Sequence, residues 1–153
     1  MRHVTVERSD PASPEARRLI EQLDEYLINL YPPASNHLLP VEALRQVGVT
    51  FLLARVDGTA AGCGAFVDRA GEYAEVKRMF VLPEFRGLKV GRLLLDELES
   101  LARAAGLALA QLEAGVFQPE ALRLYERAGY LRRGPFGNYP EDPLSVFLEK
   151  RLT

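Results

Sequence analysis

With 153 residues and a formal net charge of −2, the chain is long enough to bury one core without disulfides. It is too nearly neutral to hold nucleic acid through a broad basic face. Cys63 stands alone, which excludes a disulfide framework and fits a reducing compartment. The opening residues MRHVTVERSD lack the apolar core of a signal peptide, and no apolar run nears the roughly 20 residues needed to span a bilayer. A soluble, cytoplasmic, single domain over residues 1–153, with neither a nucleic-acid nor a membrane partner, is therefore expected.

A short strand at residues 3–7 comes first. Ser13 and Pro14 then supply a cap and a first helical residue, and Ala16, Leu19, Ile20, Leu23, Leu27 and Leu30 form one apolar stripe, so a helix runs to about Tyr31. Pro32 and Pro33 stop it, and a short helix is expected at 41–46 after the loop. Strands follow at 50–56 and 60–68, joined by an Asp57-Gly58 hairpin turn, and again at 72–82. A helix from Val90 ends near Ala105, where Gly106 suits the cap. Strand 107–114, helix 119–128, and strands 130–133 and 144–151 complete the chain. The order β-α-α-β-β-β-α-β-α-β-β predicts an α/β fold with a mixed sheet and helices on its faces.

The most informative stretch joins the third long strand to the helix at Val90. Pro83 forbids further strand pairing, since it has no N–H to donate. The turn carries Gly87 and Gly91 with Arg86 and Lys89, and it feeds a helix N-terminus whose free N–H groups and positive dipole end suit an anion. Arg92 adds a third cation, so a phosphate or pyrophosphate is the fitting ligand. Neither the P-loop ending Gly-Lys-Ser/Thr nor the dinucleotide pattern GxGxxG is present.

RGLKVG does resemble the signature Arg/Gln-x-x-Gly-x-Gly/Ala of the GNAT superfamily of N-acetyltransferases, which holds the pyrophosphate of coenzyme A. Arg86 takes its first position and Gly91 its last, while Lys89 replaces the middle glycine. The lysine requires either a backbone that avoids positive φ or a charge that compensates for a looser main-chain contact. A second segment, QPEALRLYERAGY, resembles the family's Asn-x-x-Ala-x-x-x-Tyr-x-x-x-Gly-Phe helix. Ala121, Tyr125 and Gly129 match it, with Gln118 where asparagine is usual and Tyr130 where phenylalanine is. The element order is also that of the family, so the resemblance covers nearly the whole chain.

The resemblance implies acetyl-CoA as co-substrate and transfer of its acetyl group to a primary amine of a small molecule or peptide, by direct attack in a ternary complex. It implies that Val81 pairs with the pantetheine arm as an extra strand would. The amides of Arg86, Gly87, Leu88, Lys89, Val90, Gly91 and Arg92 would take the pyrophosphate. The N–H of Met79 would face the developing oxyanion, Gln118 would contact the cofactor, and Tyr125 would protonate the leaving thiolate. Glu75 matches the position of a catalytic glutamate in some members. A regular strand would put it on one face with Lys77, Met79 and Val81, where it serves as the base or pairs with Lys77. A runner-up function is a non-catalytic coenzyme A-binding sensor or interaction module, and a longer acyl donor is a third reading.

Candidates for acceptor recognition are Tyr31, Asn36, His37, Lys77 and Arg78, together with Phe136, Asn138, Tyr139, Asp142 and Ser145 of the late loop. His37 is expected to cap or pack rather than catalyse. Lys77 and Arg78 either recognise an acceptor carboxylate or pair with nearby acids. Cys63 is expected to be an inert core thiol, and no histidine or cysteine spacing suggests a metal. An edge strand could pair across a homodimer, although nothing in the sequence demands it.

Overall fold

The computed structural model describes residues 2–153. Its elements are β1 (Val4–Arg8), α1 (Pro14–Leu30), α2 (Val41–Leu44), β2 (Val49–Val56), β3 (Thr59–Arg69), β4 (Tyr73–Val81), α3 (Val90–Ala104), β5 (Leu109–Gly115), α4 (Pro119–Arg127), β6 (Leu131–Arg133) and β7 (Ser145–Arg151). The expected order and mixed α/β class are both present. Single 3₁₀ turns at Pro33–Ser35 and Pro83–Phe85 follow the proline breaks.

Local chemistry sets the boundaries. The Ser13 hydroxyl accepts from the Ala16 N–H at 3.2 Å, capping α1. Gly106, at φ 84°, closes α3, and the Leu107 N–H bonds back to the Ala102 carbonyl at 3.0 Å. That capping bond is why β5 begins at Leu109 rather than at residue 107. The short helix α2 ends at Leu44, two residues before the expected 46, because Arg45 and Gln46 close tight turns onto Glu42 and Ala43.

The seven strands form one sheet in the order β1-β2-β3-β4-β5-β7-β6. Only β4 and β5 run parallel; every other neighbouring pair is antiparallel. One face packs on α3 and α4, where Leu94, Leu95 and Leu98 meet Leu52, Phe66, Val76, Leu112 and Leu148. The other face packs on α1 and α2, where Leu19, Ile20 and Leu44 meet Phe51, Leu53 and Cys63. Cys63 is wholly buried with its thiol pKa pushed up to about 12 by burial, and it donates to the Arg78 carbonyl at 3.3 Å. Tyr130, in place of the family's usual phenylalanine, donates its hydroxyl to the buried Glu99 of α3 at 3.0 Å, and Lys150 completes the cluster at 2.7 Å. No helix among the described residues is long and apolar enough to cross a membrane.

Candidate active site

The parallel ladder between β4 and β5 is short. It pairs Ala74 with Ala110 and Glu75 with Gln111, and beyond that point the strands part, β4 running on to Val81 and β5 to Gly115. Between the parted ends lies a groove of about 610 Å³. Its walls are Met79, Phe80 and Val81 of β4, the turn from Phe85 to Arg92, Gln118 just before α4, and Ala121, Leu124 and Tyr125 of α4. Of the residues expected to hold a cofactor, every one but Leu88 lines it; Leu88 packs its side chain against the core.

The turn leaves its main chain open. The N–H groups of Gly87, Leu88, Lys89, Val90, Gly91 and Arg92 find no acceptor among the described residues, and the first helical bond runs from the Leu93 N–H to the Lys89 carbonyl at 3.0 Å. No side chain caps α3 and no acid stands in its first turn. Lys89 itself sits at φ 64°, ψ 22°, the left-handed conformation a glycine would adopt freely. The backbone course that the motif glycine normally permits is thus kept, with a cation added. Gly91 permits a different closeness: a Cβ there would lie 3.2 Å from Leu124. Arg123 and Arg127, one turn apart on α4, add charge to the far wall. Sequence reading passed over this pair, although the i, i+4 spacing on the Tyr125 helix was visible.

A smaller cavity of about 100 Å³ opens from the groove on the α1 side. The two share Leu23, Met79, Gln118, Ala121 and Tyr125 as common lining. Tyr125 is 6 % exposed, and burial, followed by the nearby Glu113, raises its pKa. Its hydroxyl has no hydrogen-bond partner among the described residues, and no fully buried side-chain polar atom lacks one, so the phenol opens to the cavities. Gln118 holds the loop beside it. Its Oε1 accepts from the Gly115 N–H and the Tyr31 hydroxyl, both at 3.2 Å, and Tyr31 in turn accepts from the Phe117 N–H at 3.0 Å.

The strand β4 is not regular, and this redistributes the expected base and its neighbours. Ala65 pairs with Lys77 but Cys63 with Phe80, so Arg78 and Met79 together stand against the single residue Gly64, and Arg78 is at φ 60°. This bulge reverses the faces beyond it. Glu75 and Lys77 face the α1 side, whereas Met79 and Val81 face the α3 side, with Met79 lying over Gly64 and beside the core. Glu75 lines neither cavity. It is 2 % exposed, with one oxygen taken by Arg69 at 2.8 and 2.9 Å and the other by the Tyr139 hydroxyl at 2.5 Å.

The carboxylate that does line the inner cavity is Glu113 of β5, which sequence reading missed. Burial raises its pKa to about 7, while the hydroxyl of Ser145, donating at 2.8 Å, and the charge of Lys77 pull it down. Tyr31, Asn36, His37, Lys77 and Arg78 line the same cavity. The pKa of His37 is lowered, chiefly by burial and then by Lys77. Arg78 is bound to Asp24 and to the Leu39 carbonyl at 2.9 and 3.0 Å, the pairing alternative of the sequence reading. In the late loop, Asp142 accepts from the Ser35 hydroxyl at 2.6 Å, while Phe136 and Tyr139 pack on Phe147, and Asn138 is exposed. That loop does not line the cavity, apart from Leu144 at its end.

A diphosphate-sized bed of free amides beside parted parallel strands, with an open phenol at their junction, is the frame expected of an acetyl-CoA-dependent transferase. The model of the acetyltransferase (GNAT) family matches residues 16–130. The chain belongs to that family. An IAA acetyltransferase from Azospirillum brasilense is 50% identical, over 99% of this chain and 100% of the relative. Among solved structures, one from Klebsiella pneumoniae assigned as an acyl-CoA N-acyltransferase superposes with a TM-score of 0.84 at 36% identity, covering 98% of both chains. A Salmonella typhimurium structure assigned as an acetyltransferase, solved with its cofactor acetyl-CoA, shares the fold at 19% identity and a TM-score of 0.74 over 98% of this chain and 94% of its own.

Proposed function

We propose that this GNAT protein transfers an acetyl group from acetyl-CoA to a primary amine of a small molecule or peptide, by direct attack within a ternary complex. The observation that carries the reading is the Tyr125 phenol, unpartnered among the described residues, where the amide-lined groove meets the cavity that holds Glu113. Acetyl-CoA supplies a thioester carbonyl and leaves as a thiol.

The free amides from Gly87 to Arg92 bind the pyrophosphate, with Arg86, Lys89 and Arg92 adding charge. Val81 offers its main chain to the pantetheine arm where β5 has parted from β4. The bulge frees Met79 from its ladder partner, so that its N–H can meet charge developing on the acyl oxygen. A preorganised donor of that kind is worth about 10²–10³ in rate.

The proton accounting rests on two groups. An alkylammonium has a pKa of about 10.4 and must lose its proton before attack. Glu113, with its pKa raised to about 7, takes that proton directly or through water, a role better suited to it than to Glu75 with both oxygens engaged. As the N–C bond forms and the C–S bond breaks, Tyr125 supplies a proton to the sulfur. It is reprotonated by the one the nitrogen sheds on becoming an amide, while the first amine proton leaves Glu113 for solvent. Burial keeps the phenol protonated, and it raises the proton affinity of a thiolate in the same dry site as well. The test is saturable release of free thiol from acetyl-CoA on adding amines, with IAA in the same screen. Tight acetyl-CoA binding without release from any acceptor would instead establish a non-catalytic coenzyme A-binding module.

A further inference from the structure

Lys77 and Glu113 hold equivalent places on two parting strands. The ladder pairs Glu75 with Gln111, and the next residues on the same face of each strand are Lys77 on β4 and Glu113 on β5. No salt bridge joins them among the described residues, yet each lies within electrostatic reach of the other and both line the inner cavity. A cation and a carboxylate therefore face a shared space rather than each other.

Lys77 has a donor to spare. Its side chain is 12% exposed, and its ammonium group donates to the His37 carbonyl and the Tyr139 hydroxyl, each at 2.9 Å. Both partners are neutral, and an ammonium carries three N–H groups. Its ion pair with Glu75, the pairing alternative of the sequence reading, is long at 3.7 Å, beyond hydrogen-bond distance, and Glu75 is shared with Arg69 at 2.8 Å. A buried ammonium with an unused donor calls for an anion. Arg78, the other cation on this wall, is already bound to Asp24 and the Leu39 carbonyl. At about 100 Å³ the cavity is smaller than the roughly 150 Å³ that accommodates benzene, so a ligand meeting both charges must be compact.

We infer that the acceptor is a small zwitterion, an amine and a carboxylate a few bonds apart as in a free α-amino acid, with its amine towards Glu113 and its carboxylate on Lys77. This rests on the transferase reading above and narrows its acceptor. The test is thiol release from acetyl-CoA with free α-amino acids, each measured beside its decarboxylated amine and its carboxamide. The native protein should use its best amino acid with a kcat/KM roughly 10- to 100-fold above the two analogues, the range of one charge-assisted hydrogen bond. Lys77→Met should bring the three acceptors within a few-fold, mostly through the acceptor KM, with the KM for acetyl-CoA unchanged.

Equal or better use of the amine or carboxamide by the native protein overturns the inference and leaves the transferase reading standing. A preference that survives in Lys77→Met overturns the role given to Lys77. Acetyl-CoA binding with no release from any acceptor overturns the transferase reading and this inference together. The comparison in the native protein does not depend on how well the variant folds.

Discussion

The groove and the inner cavity share a wall but are built in opposite ways. The groove presents main chain: a continuous run of amides from Gly87 to Arg92, held by one turn and one helix start. The inner cavity presents side chains brought from distant positions, among them Tyr31, His37, Lys77 and Glu113. A main-chain site tolerates side-chain change as long as the backbone course survives, as Lys89 illustrates by occupying a glycine's conformation. A side-chain site has no such tolerance, because each group is held by one or two specific partners.

The sharpest break falls where the two regions meet. Tyr125→Phe removes only the phenolic hydroxyl and should lower turnover by on the order of 10²-fold or more, with the dissociation constant for acetyl-CoA changed by no more than about twofold. Thiol-release kinetics and calorimetric binding check the two halves separately. Unchanged turnover would remove the acid role from Tyr125.

Glu113→Gln isolates the side-chain region. In the native protein kcat/KM should rise with pH through about 7, as Glu113 loses its proton and becomes a base. In the variant that rise should vanish, and activity near neutrality should fall by on the order of 10²-fold. Stability should move the other way. A carboxyl whose folded pKa lies above its unfolded value favours folding at acid pH, and that advantage is lost as pH climbs towards and past about 7. Glu113→Gln should therefore melt a few degrees higher than the native protein at pH 8, with the gap narrowing by pH 5.

Gly115→Ala tests whether the acceptor side can fail alone. A Cβ there would fall 1.8 Å from the Tyr31 hydroxyl, so Tyr31 must leave Gln118 and Phe117. Overpacking of this kind costs about 1–3 kcal/mol. The melting temperature should drop by several degrees and acceptor KM should rise, while acetyl-CoA affinity stays within a few-fold. The mildest change is Lys89→Gly, which relieves about 1 kcal/mol of left-handed strain and returns much of it as added freedom in the unfolded chain. Stability should hardly move, and acetyl-CoA affinity should fall by roughly two- to fivefold at low salt, an effect that disappears in high salt.

The same contrast explains what the sequence disclosed. The element order was legible because apolar periodicity and proline or glycine breaks mark it locally. The turn with free amides was legible because a run of main-chain groups is contiguous in sequence. The β4 bulge left no such mark: its left-handed residue is Arg78, not a glycine, so strict alternation placed Glu75 with Met79 when the chain puts them on opposite faces. Glu113 was equally hidden. It lies in a strand beside Leu112 and Ala114, and what makes it a candidate base is the distance at which β5 leaves β4 and the arrival of Ser145 from much later in the chain. Nothing near either glutamate says which one lies beyond the parting.

That parting has a consequence for the ligand-free molecule. Past Glu75 and Gln111 the sheet carries an unzipped seam, where main-chain donors and acceptors of β4 that turn towards β5 meet no partner strand. Protection against hydrogen exchange is therefore interrupted in the middle of the sheet rather than at its rims. An extended chain laid into the seam would mend it, so the sheet should gain cohesion when the proposed co-substrate binds.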